Sequence, residues 1–201
     1  MDLCVFPVCG GDRCARDMLI STKSFSRCSL PRRGSLGFER IFLMSTAQLN
    51  KELNLTYPDS FVELTQEDLK KHKFFEEAPG FCIQDAERHI MISVSWRQAN
   101  PFVAMLAGGA DIAKNMEAKI RKPMGKYGYH LEGFMNREIG GKTADGYRYT
   151  YKVQDIGMMG ESLSVKSGSN FYYIHSYLRQ ELREESLSVL DGIFETAAWE
   201  E

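Results

Sequence analysis

The chain is poor in the features that usually give a function away. Its 201 residues hold five cysteines, six prolines and two tryptophans, and no stretch approaches the roughly 20 apolar residues of a membrane-spanning helix. Neither charge dominates. Lys and Arg number 25 against 27 Asp and Glu, a formal net charge of −2, which argues against a nucleic-acid protein held by neutralising phosphates. No basic start followed by an apolar core and a small-residue cleavage site precedes Met44, so no secretory signal is expected and the chain reads as cytoplasmic, with reduced thiols. What is present is globular: 43% hydrophobic and 26% charged residues are enough to bury a core and too ordinary for a disordered or fibrous chain.

The composition breaks near residue 43. Cys4, Cys9, Cys14 and Cys28 lie in the first 28 residues and Cys82 stands alone after them. Residues 1–43 carry seven basic and four acidic residues, and residues 44–201 carry 18 and 23. The cysteine spacing, CxxxxCxxxxC and then a gap of thirteen, does not form the paired knuckles of a structural zinc site, and no metal is expected. Arg32, Arg33, Gly34, Ser35 and Gly37 follow no periodic pattern. Residues 1–43 are therefore expected to be a disordered extension or a misassigned start, with Met44 as a bacterial initiator: Glu39, Arg40 and Ile41 can be encoded by a purine-rich ribosome-binding sequence. Residues 44–201 are expected to form one domain.

From Leu49 the periodicities are readable. Leu53, Leu55 and Tyr57 alternate with polar residues as in a half-buried strand. Thr65 and Asp68 have capping-box spacing, with Leu64 and Leu69 placed for a hydrophobic staple, which predicts a helix from Gln66 to about Glu77. Phe81–Asp85 and His89–Arg97 read as two strands; the second places Ile90, Ile92, Val94 and Trp96 on a packed face and His89, Ser93, Ser95 and Arg97 on a wetter one. Asn100 and Pro101 open the longest helix, which Pro123 is expected to stop, with Phe102, Leu106, Gly109, Ala113, Met116 and Ile120 as its core stripe. Gly108 and Gly109 in that helix imply a close approach to a sheet and do not have the setting of a phosphate loop. Four strands separated by short turns follow. The clearest alternates Tyr147, Tyr149, Tyr151 and Val153 with Arg148, Thr150, Lys152 and Gln154. A last helix, about Arg179–Asp191, leads to a tail at Trp199. The fold class expected is α+β: an antiparallel β-sheet flanked by helices.

This order resembles the Mog and PsbP-like α/β/α sandwich, which includes the bacterial DcrB-type and DUF1795 proteins. The resemblance spans Leu53 to Trp199. It rests on the opening Leu55, Tyr57, Pro58, Asp59 and Phe61, the central amphipathic helix, the Gly146–Gln154 strand, and the close in Phe171, Tyr172, Tyr173 and Ile174 before Leu187, Val189, Leu190, Gly192, Ile193 and Phe194. It implies non-enzymatic work, since such proteins include an extrinsic photosystem subunit, a nucleotide-release factor for a small GTPase, and chaperones for apolar segments of secreted effectors. It assigns no residue a role.

No catalytic motif stands in the sequence. His72, His89, His130 and His175 lie in separate elements without metal spacing, GxSxG is absent, Cys82 sits between Phe81 and Ile83 as a core thiol would, and Glu76–Glu77 and Glu184–Glu185 are adjacent on helices and diverge. Two functions follow as expectations. The first is a protein-binding, adaptor or chaperone-like domain without cofactor, whose partner is another protein or an apolar peptide segment. Its surface would be Met135, Tyr147, Tyr149, Tyr151, Met158 and Met159, provided that no helix covers that face. The alternative is a small hydrolase or lyase using His175 or His130 with an acidic partner such as Asp155.

Overall fold

A computed structural model describes residues 43–71, 80–98 and 108–200. Ten strands and three helices follow in chain order among these residues: β1 (Met44–Leu49), β2 (Leu53–Pro58), β3 (Val62–Glu63), α1 (Gln66–Lys71), β4 (Gly80–Asp85), β5 (Ile90–Gln98), α2 (Gly109–Met124), β6 (His130–Ile139), β7 (Lys142–Val153), β8 (Ile156–Ser167), β9 (Asn170–Arg179), α3 (Arg183–Glu195) and β10 (Ala198–Trp199). Seven strands form one antiparallel sheet in the order β3-β4-β5-β9-β8-β7-β6, and β1-β2-β10 form a second, smaller sheet. None of the described helices is long and apolar enough to cross a membrane. Residues 1–42, to which the expected extension and misassigned start refer, lie outside the described set, as do Phe102 and Leu106 of the expected helical stripe.

The meander β6-β7-β8-β9 pairs over long registers, interrupted by one shift in β6 between Leu131 and Gly133, as the alternating residues predict. β5 joins it through β9, with Ser93 opposite His175 and Ile92 opposite Ser176. The capping box forms reciprocally: the Asp68 amide donates to the Thr65 hydroxyl and the Thr65 amide to the Asp68 carboxylate, both at 3.2 Å, and Leu64 packs beside Leu69. α2 begins later than expected for the long helix. Gly108 is extended before it, and Pro123 lies inside its last turn without ending it. At its start, a methyl group on Gly109 would collide with the Asp145 carboxylate, so the expected close approach is real and a larger residue there would require that side chain to move.

The two faces of the large sheet are covered by different layers. On the back face α3 and the small sheet bury Ile83, Ile92, Val94, Met159, Leu163, Tyr172, Ile174 and Leu178 in the main core. α3 runs four residues past its expected end, placing Ile193 and Phe194 in this core. On the front face Met116, Ile120 and Met124 of α2 lie on Tyr147 and Tyr149. The wetter face expected for β5 is in fact closed, since Met91, Ser93 and Ser95 are all buried. Residues that alternate correctly in one strand cannot reveal what a distant helix covers.

β1 and the two-residue strands β3 and β10 are not anticipated by the sequence. Met44–Leu49 pairs in register with β2, and the turn between them holds Asn50 and Lys51 at φ 52° and 59°, the left-handed pair of a tight hairpin.

Candidate interaction site

The six residues expected to form an open apolar surface do not form one. Tyr147, Tyr149, Met158 and Met159 are buried, and Met135 and Tyr151 are half-buried. They do not share a face either: the register places Met135 opposite Gly146 and Met159 opposite Thr150, on the back, while the tyrosines point to the front. The front-face tyrosines are core because α2 packs on them. Tyr149 is the hub of the row, packing ring against ring with Tyr129, Tyr147 and Tyr151 at centroid distances of 5.3–5.8 Å. The ring of Tyr149 lies directly over Gly160, where a Cβ would come within 2.4 Å of it. Gly160 is thus the socket that lets this aromatic ladder lie flat.

One cross-strand row of the front face is polar in its middle. Cys82, Ser93, His175, Ser162, Tyr147 and Phe134 follow one another from β4 to β6. His175 Nδ1 and Ser162 Oγ are 2.9 Å apart, and burial pulls the imidazole pKa down to about 3. A neutral ring accepting or donating one hydrogen bond beside a wholly buried serine is a satisfied interior pair. Asp155 cannot serve it. Ser162, opposite His175, is seven residues from Asp155 along β8, or roughly 23 Å of strand. His130 is exposed at the start of β6 opposite Thr150. Cys82 is buried, and desolvation pushes its thiol up to about 12, far from the range of a reactive thiolate. No group of three or more His, Cys, Asp or Glu among the described residues is placed to hold a metal ion.

Charges that enter the interior are tied to one another. Glu161, 0% exposed on the back face, accepts from Arg137 and from Arg148 Nε at 2.8 Å each, and Arg137 goes on to Asp191 of α3 and over the ring of Phe194. Glu117 of α2, also buried, takes the Arg121 guanidinium at 2.9 Å and the Tyr129 hydroxyl at 2.9 Å; the Arg121 hydrogen bonds hold its carboxyl below the usual range in spite of burial. Asp85 accepts from the backbone of Glu87 and Arg88, from the Arg88 side chain and from Ser60. Burial raises its pKa, and these bonds outweigh it. Each of these clusters fastens one element to another.

What remains outward-facing is an edge. β6 is the last strand of the seven, ten residues long, and among the described residues no strand pairs with its outer side. A register shift between Leu131 and Gly133 breaks its regularity near one end, a device that shortens the usable edge. At the other end the Ile139 carbonyl accepts from the Trp199 indole at 2.7 Å. Between them Gly133–Glu138 is open, and Phe134, 49% exposed, stands on its front face with its ring edge against Tyr147. Which strand would be the end one was not readable, because β7 and β8 carry the same alternation.

The arrangement of mostly antiparallel sheet with a few helices is similar to the fold of PsbP-like proteins. The solution structure of cyanobacterial PsbP (CyanoP) from Synechocystis sp. PCC 6803 is similar with a TM-score of 0.58 at 14% identity, covering 83% of this chain and 98% of that one. The crystal structure of LpqN, involved in cell envelope biogenesis of Mycobacterium tuberculosis, is similar with a TM-score of 0.50 at 11% identity, covering 80% and 92%. At such identities the likeness is one of fold. No family model and no curated protein matches the sequence.

Proposed function

We propose that this domain is a non-enzymatic protein-binding module, the kind of role the sequence resemblance implies, and that it receives an extended segment of another protein along the outer edge of β6. The observation that carries the reading is the open stretch Gly133–Glu138 with Phe134 exposed beside it. An added strand would satisfy the free backbone groups of β6 and cover Phe134 with a side chain of its own. The interior tyrosines serve this function indirectly, by holding β6 and β7 flat under α2. A capped ten-residue peptide of alternating valine and threonine, titrated into the labelled protein, is expected to move the backbone amide signals of residues 133–138. Phe134→Asp is expected to weaken that binding at least tenfold while leaving the circular dichroism spectrum unchanged. Shifts confined to other elements, or none at all, would refute the reading.

The hydrolase or lyase alternative has the Ser162–His175 contact in its favour. Against it stand the complete burial of Ser162 and the distance to Asp155. Ser162→Ala separates the two readings: it leaves peptide binding intact under the first and abolishes any hydrolytic turnover under the second.

A further inference from the structure

Charge is unevenly placed along the chain. Residues 112–131 hold five Lys and Arg against one Asp or Glu, while the rest of the chain holds 20 against 26. The single carboxylate, Glu117, is buried and taken by Arg121, and Lys114 is paired with the exposed Asp111. With those pairs set aside, Lys119, Lys122 and Lys126 are left, all exposed and none in an ion pair with a described residue. Spacings of three and four place them on one stripe, because the short 3₁₀ helix Gly125–Tyr127 continues α2 without a break. Ala113, Met116, Ile120 and Met124 form the buried side of the helix, so the lysine stripe looks away from the sheet. Asp145, near the start of β7, and Asp155, in the turn after it, belong to the sheet layer beneath. At 1.5 Å per residue the stripe is about 10 Å long, close to one screening length, so its charges act together. The helix dipole accounts for Arg121 and Lys122 in the last turn of α2 but does not reach Lys119 before it or Lys126 beyond it.

Independently of the β6 edge, we propose that the outer face of α2 from Lys119 to Lys126 binds an anionic lipid surface, laying its lysines on the phosphate headgroups of a bilayer. The exterior of a helix is convex and meets a flat surface along one line. Its unpaired cations are all lysines, flexible point charges that suit headgroups, whereas lysine is depleted from protein–protein interfaces, which are anchored by buried aromatic residues. Beside them Tyr127 is half-buried with the Lys126 ammonium 4.9 Å from its ring centre, an aromatic and a cation of the kind that settle together at headgroup level. A nucleic acid fits less well, because its long phosphate chain would meet the excess of carboxylates that surrounds the stripe. The apolar side of α2 is already spent on the sheet, so the association is electrostatic and salt reverses it.

The test is co-sedimentation of the full chain with vesicles of phosphatidylcholine alone or of phosphatidylcholine with about one third phosphatidylglycerol. At about 20 mM salt the anionic vesicles are expected to bind about a hundredfold more strongly, and at about 0.5 M salt the difference is expected to vanish. Lys119→Gln, Lys122→Gln and Lys126→Gln are each expected to weaken the association about fivefold, and the triple variant is expected to fall to the level of neutral vesicles with unchanged thermal unfolding. Lys51→Gln, in the β1–β2 turn on the other side of the sheet, is expected to change it by less than about twofold. Equal binding to the two kinds of vesicle, or a triple variant that binds as the parent does, overturns the proposal. A lysine-dependent association with soluble polyglutamate or with a single-stranded oligonucleotide that exceeds the one with vesicles also overturns it, and assigns the stripe to an acidic protein or to a nucleic acid.

Discussion

The two faces of the large sheet solve the same problem with different chemistry. The back face is aliphatic and aromatic and admits charge at Asp85, which meets Arg88, and at Glu161, which binds two arginines under α3. The sheet side of the front face is tyrosine, serine and histidine, rich in hydroxyls, and the buried carboxylate there, Glu117, belongs to α2 and is paired with Arg121. The lesson lies in what each tolerates. A buried ion cluster is stable only while all its members are present, because removal of one leaves uncompensated charge. A layer of neutral hydroxyls and one neutral imidazole loses little with any single hydroxyl and a great deal if a charge is introduced.

Tyr149→Asp attacks the front face where it is tightest. It exchanges a buried ring stacked on Tyr147 and Tyr151 for a carboxylate with no cation nearby, and is expected to cost about 5 kcal/mol, enough to unfold most of the domain. Thr150→Asp, next in the chain but half-buried on the back, is expected to cost about 0.5 kcal/mol or less. Urea denaturation of the two variants measures the contrast, and equal costs would mean that the faces do not differ as described.

Glu161→Ala breaks the back face and is expected to cost about 3–5 kcal/mol, leaving Arg137 and Arg148 facing each other. Restoring neutrality with Arg148→Met in the same chain is expected to recover part of the loss. If the double variant is no more stable than the single one, the arginines are held by something other than Glu161.

His175 makes the front face sensitive to pH. Its folded pKa is depressed to about 3 against about 6.5 for an unfolded histidine, so between these values the unfolded chain binds the extra proton. Stability is then fully present above about pH 6.5 and is lost as the pH falls toward 3. The depressed Asp85 and Glu117 carboxylates act in the same direction but only nearer their own ordinary range. His175→Gln is therefore expected to flatten the stability profile between about pH 6.5 and 5, read by thermal unfolding. An unchanged slope there would mean that the ring is already charged in the folded state.

A small effect of the opposite sign is expected at the turn that joins the longest pair of strands. Gln154 and Asp155 hold φ of 48° and 65°, a left-handed pair for which Asn-Gly is the favoured sequence. Asp155→Gly is expected to stabilise by about 0.5–1 kcal/mol. Because Asp155 was the acidic partner in the enzyme reading, the same variant should leave every binding measurement unchanged.

Much of the architecture was legible from local pattern. The alternation in Tyr147–Val153, the capping box at Thr65 and Asp68, and the glycine that lets α2 approach the sheet were all readable, because each depends on residues within a few positions of one another. The site was not. Alternation shows that Tyr147, Tyr149 and Tyr151 share a face but not that α2 lies on it, and the same is true of Ser93 and Ser95 on β5. β1 was missed because Ser45, Ala47 and Leu49 form a weak apolar face that becomes a strand only by pairing with β2 and then packing on the core.

The sequence by itself determined the longer strands and the helices and their order, since periods of 2 and 3.6 are written into neighbouring side chains by backbone geometry. Only the tertiary structure decided which strand ends the sheet, which face each helix covers, and so which aromatic residue is left outside. Those outcomes depend on contacts between residues far apart in the chain: the tyrosines of β7 became core beneath Met116 and Ile120, and Phe134 of β6 stayed in the open.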